Sequence, residues 1–257
     1  MKTYIIGLLA MSTFIVSCQK EQVKIPDLLE NQVKVAEGTL SDGKQVTLYS
    51  PDSLITGYNP IFIKITQNGK AVLPETLTLA TLMDMGTMQH SSPSLGPVLI
   101  SGTTYYEAGA VLTMPSATKA WSLILKVGGE ELIFKVNVKQ AETKTAATFT
   151  TEGGDKYVLA LYPYKNFKVG MNDFSLIVFK KETAMKFVPV TGLNVEFYPY
   201  MTSMDHGSPN NVNPKDAGNG FYNGKVNFTM SGDWRFHFKI KSGTDVLFDD
   251  AALDIVF

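Results

Sequence analysis

Two short runs concentrate the side chains of this protein that can do chemistry. One is Met83-Asp-Met85-Gly-Thr-Met88-Gln-His90-Ser-Ser-Pro93, the other Met201-Thr-Ser-Met204-Asp-His206-Gly-Ser-Pro209. Of eleven methionines, Met1 and Met11 precede residue 18; of the other nine, five fall in these runs, with two of the three histidines. A thioether is a soft donor with no proton to lose, and it selects copper, Cu(I) above all, over zinc, magnesium or calcium. Imidazole adds a nitrogen that serves both Cu(I) and Cu(II).

The shared Met-x-x-Met-x-His spacing predicts one S,S,N copper site per run: Met85, Met88 and His90 in the first, Met201, Met204 and His206 in the second. An extended backbone brings the last Met and the His, two apart, to one side. A turn at Gly86-Thr87 or Thr202-Ser203 returns the first Met to them. Met83 offers a spare thioether in the first run, where Pro199 stands at the matching place in the second. Met114 and Met230 are further candidate ligands at inward-facing strand ends, though Met is also common core filler. Against all of this stands a plainer reading, a structural turn inherited twice. Asp84 and Asp205 read as turn residues or as partners that orient the histidines.

No G-x-S-x-G, H-E-x-x-H or Gly-rich phosphate loop occurs, and no spacing suggests paired catalytic carboxylates, so no enzyme is expected. Charge is nearly balanced, 23 basic against 24 acidic residues, which gives nucleic acid no reason to bind.

The elements that must position these residues come in two copies. A shift of 116 places Met85, Met88, His90, Ser92 and Pro93 on Met201, Met204, His206, Ser208 and Pro209, and Leu77 on Leu193. The same shift matches Tyr106 with Tyr222 and Thr113-Met114 with Thr229-Met230. Outside that window a shift of 113 brings Asn59 to Asn172, Ile63 to Leu176, Ile65 to Val178, and Trp121, Leu123 and Leu125 to Trp234, Phe236 and Phe238. Each copy reads as β: Trp234–Ile240 and Val226–Met230 alternate apolar and polar, as half-buried strands do. Gly and Pro punctuate the runs at intervals of about 8–12 residues, which points to antiparallel sandwiches. The expectation is all-β: two tandem immunoglobulin-like antiparallel β-sandwich domains, over 40–141 and 148–257. Ile63, Leu77, Leu112 and Leu125, then Leu176, Val195, Phe228 and Phe238, are expected inside, with Arg235, His237 and Lys239 outside.

At the N-terminus, Lys2 precedes an apolar stretch from Tyr4 to Val16, too short to span a bilayer, which takes about 20 residues. Ile15-Val16-Ser17-Cys18 matches the lipobox of bacterial lipoproteins, and Cys18 is the only cysteine in the chain. Residues 1–17 therefore read as a signal peptide, Cys18 as the lipidation site and 18–39 as a tether. An extracytoplasmic, lipid-anchored protein follows, with Gln19 in place of aspartate favouring the outer membrane.

The second copy carries Met201-x-x-Met204-x-His206-Gly-Ser-Pro209, then Gly220-Phe-Tyr222, then Val226-Asn-Phe-Thr-Met230-Ser-Gly-Asp-Trp234. This series resembles the YtkA-like domains of bacterial secreted proteins and the related FixH family, with a weaker echo over 59–127. In the first copy Met114-Pro115 keeps the family's Met-Pro pair, but extra residues precede Trp121. The resemblance implies an immunoglobulin-like fold and an association with copper handling or cytochrome oxidase assembly. The expected function is a copper-binding lipoprotein for buffering, delivery or resistance, meeting a copper-donor or copper-acceptor protein. The alternative is a cell-surface binding or scaffolding module with no metal.

Overall fold

The computed structural model describes residues 27–117 and 119–257. The expected signal peptide, Cys18 and most of the expected tether lie outside the described residues. Among those described there is no helix, and none long and apolar enough to cross a membrane.

Alternating apolar residues and Gly-centred turns produce twenty strands among the described residues. The first ten are β1 (Val33–Thr39), β2 (Gln45–Ser50), β3 (Gly57–Gln67), β4 (Lys70–Ala71), β5 (Leu77–Asp84), β6 (Gln89–His90), β7 (Ser94–Leu99), β8 (Tyr105–Leu112), β9 (Trp121–Val127) and β10 (Glu130–Val136). The rest are β11 (Ala146–Thr150), β12 (Lys156–Tyr162), β13 (Gly170–Lys181), β14 (Phe187–Pro189), β15 (Asn194–Met201), β16 (His206–Gly207), β17 (Val212–Gly218), β18 (Phe221–Phe228), β19 (Asp233–Ser242) and β20 (Asp245–Val256).

The two sets build the same sandwich. One sheet runs β1-β2-β3-β8-β7, repeated as β11-β12-β13-β18-β17; the other runs β10-β9-β5-β6, repeated as β20-β19-β15-β16. Every ladder within the sheets is antiparallel. In immunoglobulin terms these are A-B-E-D and G-F-C-C′, with one extra strand on the A edge. The protein is thus two immunoglobulin-like sandwiches.

The core residues expected from alternation are inside: Ile63, Leu112, Leu125, Leu176, Val195, Phe228 and Phe238 are buried, and Leu77 packs against the first core. Asn59 and Asn172 hold identical posts. Each amide bonds the backbone just upstream, Asn59 to Ile55 and Gly57, Asn172 to Lys168 and Gly170, and so shapes the entry to strand B. At Asn59, which is itself buried, backbone groups shut away from water need such partners.

One expectation needs correction. Val33–Thr39, read as the end of the tether, is strand β1, paired to β2. A register shift between Lys34 and Ala36 breaks its period of two, which is why alternation does not reveal it.

A third apolar cluster lies between the sandwiches. Tyr58, Leu95 and Val111 of the first A-B-E-D sheet meet Val158, Ala160, Ile177 and Phe179 of the second. The ring of Tyr58 packs edge-on against Tyr162 at 5.3 Å and Phe221 at 5.7 Å. It crosses Gly109, where an added Cβ would fall 2.5 Å from it. The connecting chain is tied down too, since Ala141 N donates to Thr56 Oγ1 and Thr56 N to Lys139 O, both at 2.9 Å.

Candidate metal centre

Each Met/His run is the hairpin from strand C to strand C′, at one end of its sandwich. Met83 pairs with His90 across the first hairpin and with Trp121 on strand F. Met201 pairs in the same way with His206 and Trp234. Directly opposed residues of an antiparallel pair project to the same face. Each methionine therefore stands between an imidazole and an indole on the inner face. Met83 is 3% exposed and Met201 5%, so both belong to the cores rather than to polar loops.

This register corrects the sequence alignment of the copies. The counterpart of Met201 is Met83, not Met85, and Leu77 answers to Val195 rather than Leu193. The first hairpin is two residues longer, so identical Met-x-x-Met-x-His spacing falls on turns of different length. Met83 is not a spare, and Pro199 does not occupy its place.

In the first hairpin, Met85 N donates to Met88 O at 2.9 Å around Gly86-Thr87. Gly86 takes φ 87°, as a two-residue turn of this hand requires at its first central position. Continued through the turn, the register sets Met85 opposite Met88. Met83, Met85, Met88 and His90 then share one side of the hairpin. Its outer pair is open to solvent, Met85 at 44% and Met88 at 57%.

The second hairpin has a four-residue loop, Thr202–Asp205, with Met204 N donating to Met201 O at 3.3 Å. Asp205 has φ 55°, so Met204 and His206 do not lie on one extended stretch, contrary to the spacing argument. The Met204 carbonyl instead lies 3.5 Å from His206 Nδ1, and Met204 itself is 58% exposed. The hydroxyls of Ser203 and Thr202 donate to Asp233, holding its carboxyl below the usual range, and Tyr200 donates to Asp205. In the first hairpin Gly86 N donates to Asp84 at 2.8 Å, and this bond, with a weaker one from Gln89, holds that carboxyl low. Asp84 and Asp205 thus serve the turns.

The loop from E to F closes the site from the other side. Trp121 Nε1 donates to Met114 O at 2.9 Å, and Trp234 Nε1 to Met230 O at 3.1 Å. Met114 packs partly on the first core, while Met230 is 38% exposed. His206 meets Trp234 edge-on at 5.8 Å, with its Nε2 3.4 Å from Thr229 Oγ1. His90 and Met114 line a cavity of about 340 Å³ with Lys156 and Lys181 of the other sandwich. Sequence reasoning matched the two tryptophans but missed that they wall the candidate sites, because that role needs the ladder between C and F.

Among the described residues no three His, Cys, Asp or Glu side chains group to hold a metal. The donors gathered at each hairpin are thioethers and one imidazole, a set suited to a soft ion and poor for zinc, calcium or magnesium.

Residues 151–239 match the YtkA-like family. The YtkA-like stretch runs from the end of the second A-edge strand into strand F, and includes Met201, Met204, His206 and Met230. No curated protein matches the chain. Among solved structures, the bacterial integrin-binding protein invasin is similar at 11% identity and a TM-score of 0.24, over 83% of this chain. This chain spans 39% of the invasin chain. A chimeric titin Z1Z2 carrying a decorin peptide is similar at 11% identity and TM-score 0.21, over 88% of this chain and 96% of its own. At such scores the likenesses carry no weight, and the fold rests on the sheet order.

Proposed function

We propose that this protein is an extracytoplasmic copper-binding lipoprotein, anchored through lipid on Cys18 and acting in copper buffering, delivery or resistance. The observation that carries this reading is the hairpin geometry. In each sandwich a Met and a His oppose each other across C and C′, with Met85 and Met88 exposed at the tip of the first hairpin and Met204 in the loop of the second. An exposed thioether forgoes burial worth about 1.5–3 kcal/mol, so packing does not account for Met85, Met88 and Met204. Met83, Met85, Met88 and His90 would hold one ion, and Met201, Met204 and His206 the other, with Met114 and Met230 at the margins. Such soft donors would favour Cu(I) and leave it open to exchange with a donor or acceptor protein at the outer membrane. The resemblance to the YtkA-like and FixH families supports the same association.

The test is a Cu(I) titration of the mature chain carrying Cys18→Ser, which removes lipid and thiol together, against bathocuproine disulfonate without oxygen. Two equivalents should bind, and Met204→Leu with His206→Ala should remove one. No binding, or an unchanged stoichiometry, overturns the reading.

A further inference from the structure

The outer face of the second G-F-C-C′ sheet carries a feature that neither its core nor its hairpin requires. Strand β15 alternates, so Val195, Phe197 and Met201 point in while Glu196, Tyr198 and Tyr200 point out. Across the ladder, His237 stands opposite Tyr198. The three rings form a patch, with centroids 6.1 Å apart for Tyr198 and Tyr200, 6.2 Å for Tyr198 and His237, and 6.4 Å for Tyr200 and His237. They line an open groove of about 710 Å³, and Tyr198 is 51% exposed.

These rings are held in place. Tyr198 lies across Gly207 of β16, where an added Cβ would fall 2.6 Å from its hydroxyl oxygen. Tyr200 donates to Asp205. The polar rim is paired off: His237 Nδ1 lies 2.7 Å from Asp250, Lys241 is 2.6 Å from Glu196, and Lys239 bonds Asp249. Asn213, which also lines the groove, accepts from Phe197 N at 2.9 Å through its oxygen.

The other sandwich shows that the fold does not demand this face. Its register places Ala80, Leu82 and Ile124 where Tyr198, Tyr200 and His237 stand, while the inner residues of these strands stay apolar in both copies, Thr81 excepted. Flat aromatic faces bind apolar surfaces that have polar edges. The rim sets the carboxylates of Glu196, Asp249 and Asp250 beside the ammoniums of Lys239 and Lys241, so it offers hydrogen-bond donors and acceptors of both kinds. Lys239 opposes a cationic ligand, and Glu196, Asp249 and Asp250 oppose an anionic one. A neutral sugar meets all these conditions: C–H faces for the rings and hydroxyls for the rim.

We propose that this groove binds a neutral saccharide, with a pyranose stacked on Tyr198 and Tyr200 and its hydroxyls bonded to Asn213, Glu196 and Asp250. The inference does not depend on copper, which would sit on the opposite face of the sheet.

The test is native gel electrophoresis of the mature Cys18→Ser chain through gels containing laminarin, galactomannan, xylan or dextran, with heparin and choline chloride as charged probes. At least one neutral polysaccharide should retard the protein. Tyr198→Ala should weaken that retardation at least tenfold, and Tyr200→Phe, which keeps the ring, should leave it within threefold. Near-ultraviolet circular dichroism of the buried Trp121 and Trp234 serves as the folding control. Retardation by none of the four, equal retardation of Tyr198→Ala, or binding only to heparin or choline chloride would overturn the proposal.

Discussion

Met201 stands directly across the β15–β16 ladder from His206, and its other flank meets Trp234. Its terminal methyl also reaches Gly232, where a Cβ would collide with it. One thioether is therefore both a core residue and the innermost candidate donor, while Met204, three residues on, is open to water.

The two methionines should separate stability from metal binding. Met201→Ala opens a cavity and should cost about 2–5 kcal/mol, whereas Met201→Leu should cost under about 1.5 kcal/mol. Met204→Ala should stay within about 0.5 kcal/mol, as exposed substitutions do. Both alanine variants should weaken Cu(I) binding, but only Met201→Ala should lower the urea midpoint. Equal destabilisation by Met204→Ala would contradict its exposed position.

Tyr58 should hold the two sandwiches together as one unfolding unit. It is buried against Tyr162 and Phe221 of the second sandwich, and that burial pushes its hydroxyl pKa up. Tyr58→Ala should cost about 3–5 kcal/mol and split a single thermal transition into two. Calorimetry would show it. A single transition of unchanged shape would mean that the sandwiches couple elsewhere.

A charge pair also crosses between the sandwiches, Asp52 to Lys165, with both side chains about half exposed. The bond to Lys165 holds Asp52 low, and the same bond raises Lys165. A lowered carboxylate contributes stability above its unfolded value, about pH 3.9, and loses it as pH falls through the folded value. A raised ammonium contributes below about pH 10.4 and loses it above. The contribution should therefore be level from about pH 5 to 9 and fade on either side, and at this exposure it is at most about 1 kcal/mol. The urea midpoint of Asp52→Asn should lie below that of the parent at pH 7 and converge with it as pH falls through the folded value. A constant gap would show that the pair does not titrate with folding.

Local periodicity was enough for the sandwiches. Trp234–Ile240 alternates because one face is core and the other is water, and this holds whatever lies across the core. Asn59 and Asn172 recur at a fixed offset because their bonds reach only two to four residues along the chain. The continuous apolar run Leu176-Ile-Val-Phe179 signals burial on both faces, but only the packed structure shows that the other sandwich covers the outer one.

The candidate sites were legible in residue type and not in arrangement. Soft donors beside a histidine, twice, could be read directly from Met83–His90 and Met201–His206. Which methionines are buried could not, because burial depends on the residue across the ladder, and Trp121 and Trp234 lie more than thirty positions away in sequence. The length of each turn decided the rest. Two extra residues in the first hairpin keep Met85 and Met88 paired beyond the sandwich, while the left-handed Asp205 turns Met204 out of line with His206.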